Sequence, residues 1–340
     1  MTTHLASMTP KNFRLLVSSG KFKSPTSGVC SNFKQANVIL LEKKLAERFK
    51  KISIRNYGPL PILKEVENGA FDVLQCLPGF IEVGKANDKS QEASQMPSMQ
   101  EINSKYTAFL IGCSFSFEGL LLENKIPVRN LEQNCNVSMY KTGISLSGLE
   151  DLDSCQMVVS MRPIPKSNLK QVFNLTSSKA LTNCHGPPIG FGKEFARKIL
   201  KINSLENVDY GDKIEYNENE DVPVFWCCGV TLLNLAESFI KFGMNELPIY
   251  THKPGHMYVM DNFVEKPLQE ELEGFDKQTE LYGWDNHGTN HGSFMPVKKS
   301  SLDRIEKINK IIKTHDPGQR GIKNFIESDS IDFVKASFQP

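Results

Sequence analysis

The sequence predicts an α/β protein built on a mixed sheet flanked by helices. Two stretches carry this prediction. Residues 107–111 form a short apolar run that stops at Gly112, and residues 222–230 form a second run that contains Cys227-Cys228-Gly229. A helix pattern follows each run, and Thr231 would cap the second helix. Because open α/β sheets bind ligands where strands end, we expect the two junctions to gather polar groups at one sheet edge.

The segments before the first junction are predicted from chain breakers and periodicity. Thr9-Pro10 is typical of a helix start, and residues 18–20 end that helix. Residues 24–28, S-P-T-S-G, have the composition of an anion-binding loop, although ordinary turn chemistry also accounts for them. A helix is expected from residue 37 to about Lys51, because apolar side chains recur on one face. A turn, a strand and an exposed polar loop are then predicted at residues 58–61, 62–66 and 84–100.

Three candidate catalytic residues follow Gly112. Cys113, Ser114 and Ser116 would lie at a helix start, where free N–H groups and the helix dipole favour an anion and lower the pKa of a thiol. A simpler interpretation is that Ser114 caps the helix and Cys113 packs as a small apolar residue.

Basic side chains recur where predicted strands end. Arg129 follows the extended segment I-P-V, Lys141 and Thr142 end the predicted strand V-S-M-Y-K-T, and Arg162 follows a predicted strand at residues 156–161. A guanidinium at such a place can hold a carboxylate through two hydrogen bonds, although each residue taken alone is compatible with a solvated surface charge. We interpret the set as candidate substrate-binding residues.

Histidines supply candidate proton carriers. His185 lies in a loop rich in proline and glycine, from which it could reach a substrate. His252 and His256 have the spacing of helical metal ligands, but Pro254-Gly255 would break that helix, so a loop is expected. There, His256 could act as an acid or base and His252 could contact the substrate, or either could simply support the loop.

Composition restricts the partners. The 340 residues are enough for one large or two ordinary domains, and 40 basic against 39 acidic side chains give no net field for nucleic acid or an anionic membrane. We therefore expect a small carboxylate or amino-acid substrate, and a homo-oligomer is compatible with the sequence. Eight cysteines without C-x-x-C spacing predict reduced thiols, and the pair Cys227-Cys228 has no matching second pair with which to bind zinc. No organic cofactor is expected.

The opening segment bears on localisation. It contains no secretory apolar region, so an intracellular and cytoplasmic protein is expected. Because no acidic residue precedes Glu42 while several basic ones do, a mitochondrial presequence is the alternative.

A family resemblance rests on ordered sequence blocks between about Arg14 and Asn262. The chain resembles a hydro-lyase family that includes the N-terminal part of animal D-glutamate cyclase. The resemblance implies an α/β fold with a second, smaller α+β lobe, and the closing of D-glutamate to 5-oxo-D-proline with loss of water. The blocks are T-S-G, Q-A-N-V-I-L, F-L-I-G-C-S-F-S-F-E, I-P-V-R-N, V-S-M-Y-K-T, M-V-V-S-M-R-P, C-H-G-P-P, D-Y-G-D, V-P-V-F-W-C-C-G-V-T and T-H-K-P-G-H-M-Y-V-M-D.

Domain boundaries are expected from the same resemblance. Residues 1–128 and 206–280 would form the main α/β domain, residues 129–205 the smaller lobe, and residues 281–340 a polar C-terminal appendage.

The chain departs from the family pattern at five positions. Leu74 and Cys76 stand where relatives usually have an arginine and an aspartate, and Gly190 and Lys193 where they tend to have a histidine and an aspartate. Lys141 replaces an arginine. The missing charges bear on whether this chain has the family's activity, and less on whether it belongs to the family.

The implied reaction suggests roles for the candidates. Arg162 and Arg129 would hold carboxylates, His185 or His256 would carry protons, and the amides of residues 113–116 would stabilise an oxyanion. Cys113 could alternatively form a thioester.

Two other functions are compatible with the sequence. The first is a carboxylate-binding protein that has lost catalytic charges. The second is a metal-dependent hydrolase that uses histidines from the set His185, His252, His256, His287 and His291.

Overall fold

The computed structural model describes residues 2–84, 97–149 and 155–267. Most of the predicted polar loop at residues 84–100, the pair His287 and His291, and the predicted C-terminal appendage lie outside these residues.

The described strands form two sheets in which every pairing is antiparallel. The first sheet has the order β2-β4-β1-β9-β3, with β10 also paired to β1, and the second has the order β5-β6-β8-β7. The strands are β1 (Phe33–Glu42), β2 (Ile62–Val66), β3 (Phe80–Glu82), β4 (Tyr106–Gly112), β5 (Ser138–Ser145), β6 (Gln156–Pro165), β7 (Gly190–Phe191), β8 (Asp221–Cys227), β9 (Tyr250–His252) and β10 (Tyr258–Phe263).

Helices flank both sheets, which confirms the predicted α/β class. Short 3₁₀ helices cover Ser114–Phe117, Lys166–Asn168 and Lys179–Cys184, and a π-helical turn covers Ala196–Leu200. The α-helices are α1 (Thr2–Ala6), α2 (Pro10–Ser18), α3 (Lys43–Arg55), α4 (Ala70–Gln75), α5 (Met99–Lys105), α6 (Glu118–Glu123), α7 (Arg129–Glu132), α8 (Leu169–Thr176), α9 (Gly192–Phe195) and α10 (Thr231–Lys241).

The main core is shared by the two sheets. On β1, Ile39 and Leu41 pack into the cluster that also contains residues of β6, β8, α3 and α10, whereas Val38 and Leu40 pack on the opposite face with α4 and α5. This alternation follows from the two-residue period of a strand. The second sheet likewise has an outer face, which packs against α6 and α8.

The segment from residue 37 to Glu42 is a strand, so the helix predicted there begins too early. Helix α3 starts only at Lys43, with Leu45 and Phe49 buried as expected. The run V-I-L-L is buried on both faces in the middle of a sheet, and a short run of this kind has no period that separates strand from helix.

The second sheet departs from the sequence-based expectations in three ways. β4 and β8 belong to different sheets, so the two junctions do not share one edge. Arg162 lies within β6 instead of after it, and Pro163 beyond it pairs with Pro223. The Thr231 hydroxyl bonds to strand β6 instead of capping α10, because it accepts the N–H of Val158 at 2.9 Å.

The domain boundaries stay a prediction. Strand β8 lies beyond residue 205, yet it belongs to the same sheet as β5, which lies in the predicted smaller lobe.

The basic N-terminal stretch is part of the fold. Phe13 on α2 is fully buried beside Val259, and Arg14 donates to the Val259 carbonyl at 2.7 Å and to the Asp261 carboxylate. Among the described residues, no helix is both long and apolar enough to cross a membrane.

Candidate functional site

The candidate site is organised by a buried ion pair between Arg162 of β6 and Glu118 at the start of α6. Arg162 Nη2 donates to Glu118 Oε1 at 2.6 Å, and Nε lies 3.3 Å from the same oxygen. The two side chains are 0% and 1% exposed. A charge is this deeply buried only when it is paired, so each side chain depends on the other.

Hydroxyl groups extend the ion pair on both sides. Arg162 Nη2 also lies 3.2 Å from Ser114 Oγ, and Nη1 lies 3.4 Å from Ser160 Oγ. On the other side, Ser27 Oγ donates to Glu118 Oε2 at 2.6 Å. The ion pair therefore joins the end of β4, the middle of β6 and the loop before β1.

Aromatic rings enclose the guanidinium. Arg162 Cζ lies 5.2 Å from the ring centre of Phe117, 5.7 Å from that of Trp226 and 5.9 Å from that of Phe115. These faces attract a cation and exclude water, which strengthens the electrostatic interactions of the site.

The two strand–cysteine junctions meet near Arg162 even though they leave different sheets. The Arg162 charge lowers the pKa of both thiols, Cys113 and Cys228, against the larger effect of burial. Asn37 of β1 bridges the junctions, because its Nδ2 donates to the Gly112 carbonyl at 2.6 Å and its side chain packs on Gly229.

His185 has a ring nitrogen, Nε2, that can accept a proton. Its Nδ1 lies 2.9 Å from the Gly58 carbonyl, which can only accept, so Nδ1 carries the hydrogen and Nε2 a lone pair. Among the described residues Nε2 is buried without a hydrogen-bond partner. Burial lowers the pKa of His185 to about 4 against the opposing effect of the Gly58 and Gly112 carbonyls, so the ring is neutral at physiological pH.

Close packing on Gly112 positions the His185 loop. A methyl group at residue 112 would lie 1.7 Å from the carbonyl oxygen of Asn183. We expect Gly112→Ala to lower the free energy of unfolding by about 3 kcal/mol, because backbone and not a flexible side chain has to move. Urea unfolding measures this change.

A second glycine gives the control. Gly20→Ala adds a methyl group in open space at φ 73°, so it should cost only about 1 kcal/mol of backbone strain. Equal losses in the two variants would contradict the packing argument.

Two buried histidines make stability depend on pH. Burial lowers the pKa of His252 to about 4, as it does for His185, whereas an unfolded histidine titrates near 6.5. Between these values the unfolded chain binds more protons, so the free energy of unfolding should fall as the pH drops from about 6.5 to about 4. At pH 5 each histidine should account for about 2 kcal/mol of the loss.

Urea unfolding at pH 7.5 and pH 5.0 measures this effect. His252→Gln should remove about 2 kcal/mol of the pH-dependent loss, and the matched change His4→Gln at an exposed site should remove none. The same loss in wild type and His252→Gln would disprove the assignment.

Cys113 does not have the lowered thiol pKa that its helix-start position predicted. It is 5% exposed, and burial raises its pKa well above the usual value, with only a small opposing effect from the Phe115 N–H that it accepts at 3.4 Å. The helix that follows is a single 3₁₀ turn, too short to offset burial. At neutral pH the thiol is protonated.

The amides of this turn are also occupied. The N–H of Phe115 bonds to Cys113 Sγ and that of Ser116 to the Cys113 carbonyl at 3.1 Å, so neither is free for the predicted oxyanion. Ser116 Oγ accepts the backbone N–H of Gln35 at 3.0 Å, which ties the turn to β1.

Three of the predicted substrate-binding residues lie elsewhere. Arg129 binds both oxygens of Asp221 at 3.0 Å and Glu132 at 3.0 Å. Lys141 pairs with Val158, which is four residues and roughly 13 Å along β6 from Arg162. Thr142 Oγ1 donates to the Met157 carbonyl at 2.9 Å within the sheet. Their predicted contacts with substrate stay predictions.

His252 is the last residue of β9, whereas His256 lies in the loop between β9 and β10, so the predicted loop is confirmed for His256 alone. His256 Nε2 lies 3.2 Å from the Lys23 carbonyl and Nδ1 3.0 Å from the Pro254 carbonyl. His252 Nδ1 contacts Val38 of β1, and its Nε2 is buried without a partner. Within residues 2–84, 97–149 and 155–267, no three His, Cys, Asp or Glu side chains are grouped as a metal site requires.

The sequence-based set missed four members of the network. Glu118, Ser27, Asn130 and Ser160 all touch the ion pair or its direct partners. Each lies in one of the blocks that carry the family resemblance, so a search of those blocks for hydroxyl, amide and carboxylate side chains would have found them.

Comparison with known proteins agrees with the resemblance. A profile of the family described as D-glutamate cyclase matches residues 107–261. A protein named "Putative hydro-lyase" from Clostridium beijerinckii is 35% identical over 266 residues, which cover 75% of this chain and 95% of the relative. YcsI of Bacillus subtilis, with the same description, is 36% identical over 265 residues, or 75% of this chain and 96% of the relative.

Solved structures add no further argument. A nitrogen repressor-like protein from Methanococcus jannaschii aligns with 74% of this chain and 95% of its own, but with a TM-score of 0.31 and 11% identity. The sequence relatives, in contrast, match along nearly their whole length. The chain belongs to the D-glutamate cyclase family of hydro-lyases.

Proposed function

We propose that this protein closes D-glutamate to 5-oxo-D-proline and water. The observation that carries the proposal is the buried Arg162–Glu118 pair, at which the T-S-G, S-F-S-F-E and S-M-R-P blocks of the family meet. A fully buried charge pair is a weak source of stability, so its position among hydroxyl groups favours a chemical role.

The reaction defines what the residues have to do. The amino nitrogen attacks the carbon of the side-chain carboxyl group, a C–N bond forms and a C–O bond breaks. Two protons move from the nitrogen to the oxygen that leaves as water. Catalysis therefore needs a proton acceptor near the amine, a proton donor near the oxygen and a positive group for the carboxylate.

Two side chains provide the main functions in our proposal. Arg162 binds a carboxylate and stabilises the negative charge that develops on it, in place of the amides that are already occupied. His185 Nε2 accepts the amine proton and returns it to the departing oxygen, because it is neutral and has no other partner.

Apolar packing fills two of the positions that depart from the family pattern. Leu74 is fully buried in the apolar cluster on the outer face of the first sheet, whereas the aromatic rings around Arg162 belong mainly to the outer face of the second. At Gly190 the ring of Phe195 fills the place of a side chain, since a methyl group there would lie 2.2 Å from it. Both places are therefore occupied by apolar groups, and neither position supplies a charge in this chain.

Purified protein incubated with D-glutamate and, separately, with L-glutamate tests the proposal, with 5-oxoproline followed by chiral chromatography and mass spectrometry. We expect product from the D isomer. The matched surface change Arg197→Ala, in an exposed pair with Glu194, should leave turnover unchanged. No product from folded protein would refute the reaction and leave carboxylate binding as the function to test.

The same assay distinguishes the covalent alternative. Because the Cys113 thiol is protonated at neutral pH, we expect Cys113→Ala and Cys113→Ser to retain turnover within about tenfold. Loss of product in both folded variants, together with an acyl-enzyme mass in wild type, would establish the thioester route instead.

A further inference from the structure

We infer that Glu118, Asn130 and Ser27 form a subsite for the ammonium group of the substrate, so that the site selects α-amino acids over carboxylic acids without an amine. The inference rests on the proposed function, because it defines the substrate class of the same site. It begins with the unmet hydrogen bonds around the ion pair.

The orientation of the Asn130 amide follows from its neighbours. Glu118 Oε2 and Ser27 Oγ are 2.6 Å apart, and a carboxylate can only accept, so the single hydroxyl hydrogen of Ser27 points to Glu118. Ser27 Oγ therefore has only lone pairs for Asn130, and the Asn130 Nδ2 group must donate to it at 2.9 Å.

This orientation leaves an acceptor unmet. Asn130 is fully buried, and its Oδ1 has no hydrogen-bond partner in the part of the chain that the structure describes. A buried carbonyl oxygen without a donor costs free energy, so such atoms are rare unless a ligand satisfies them. Asn130 Oδ1, Ser27 Oγ and Glu118 Oε2 together provide oxygen atoms and one negative charge, which is the chemistry that binds an ammonium group.

N–H groups that could donate hydrogen bonds to a ligand lie on the Arg162 side of the ion pair. Trp226 is fully buried, its ring packs against the Arg162 guanidinium, and its indole N–H has no acceptor among the described residues. Arg162 Nη1 carries two hydrogens and, within the same residues, lies 3.4 Å from Ser160 Oγ as its one hydrogen-bond contact.

The two sides match the two groups of D-glutamate that react, its ammonium group and its side-chain carboxylate. Oxygen acceptors on Glu118 and Asn130 suit its ammonium group, and N–H donors on Arg162 and Trp226 suit a carboxylate. A ligand without the amine would leave Asn130 Oδ1 unmet, and an unpaired buried group is a strong basis for discrimination. After ring closure the nitrogen is an uncharged amide, so the subsite would also favour release of the product.

Ligand binding tests this subsite independently of turnover. Affinities of wild-type protein for D-glutamate and for glutarate, which lacks only the amine, are measured by thermal shift, with 5-oxoproline quantified in the same samples. We expect D-glutamate to bind at least tenfold more tightly. Asn130→Ala, which keeps the ion pair, should reduce the D-glutamate affinity about tenfold and change the glutarate affinity less than threefold.

Two further variants complete the design. Asn245→Ala, in the loop between α10 and β9, is the matched asparagine control and should change neither affinity. Glu118→Gln tests the carboxylate directly, with its fold checked by circular dichroism. If this variant does not fold, Asn130→Ala still decides the question.

The subsite would be overturned if wild type bound D-glutamate and glutarate with equal affinity. It would also be overturned if Asn130→Ala reduced the affinities for both ligands by the same factor. If D-glutamate is preferred but never converted to 5-oxoproline, the subsite stands and the proposed reaction fails.

Discussion

Arg162→Ala should lower the free energy of unfolding by about 3–5 kcal/mol and remove turnover of D-glutamate. Glu118 would remain buried with 1% of its side chain exposed and no opposite charge, and the loss of one partner of a buried pair costs this much in other proteins. Urea unfolding and the 5-oxoproline assay measure the two effects.

A double substitution separates stability from chemistry. In Arg162→Met with Glu118→Leu, both charges are replaced by apolar side chains of similar size, so most of the lost stability should return while turnover stays absent. A double variant that regains turnover would show that the pair is only structural.

His185→Asn should reduce turnover by a factor of about 100 or more while the protein stays folded. An asparagine cannot accept and return a proton, and general acid–base catalysis by a placed histidine contributes about 10²–10⁴-fold. His4→Gln, at an exposed position, is the control and should have no effect. Turnover within threefold of wild type would exclude His185 as the proton carrier.

The pH profile gives an independent test of His185. A base has to be unprotonated, and burial lowers the pKa of His185 to about 4. The kcat/KM of wild type should therefore show no loss from this group as the pH falls from 8 to about 5, and should decline only towards pH 4. A decline centred near 6.5 that disappears in His185→Asn would contradict the buried, neutral state.

Local sequence patterns predicted those elements whose boundaries are chemically marked. Strand β4 ends at Gly112 and helix α2 starts at Thr9-Pro10, as expected, because glycine and proline restrict the backbone by themselves. Strand β1 was misread because its apolar run is buried on both faces, a property set by the sheet around it.

The site depended on distant pairing that no local pattern contains. Arg162 and Glu118 are 44 residues apart, and Ser27 is 91 residues from Glu118. The sequence predicted Arg162 from the recurrence of basic residues, but the same argument selected Arg129, whose partner Asp221 occupies it. Which arginine is itself fully buried depends on strand order, because β8 lies beside β6 and places Trp226 over Arg162.

The depth of the Arg162–Glu118 pair has a kinetic consequence. Because both side chains are almost inaccessible to water, a substrate can reach them only while part of the surrounding structure is transiently open. The partly exposed Ser27 gives the thinnest cover over Glu118. The rate of association would then be limited by opening of this loop, and would stop rising with substrate concentration once opening becomes the slow step.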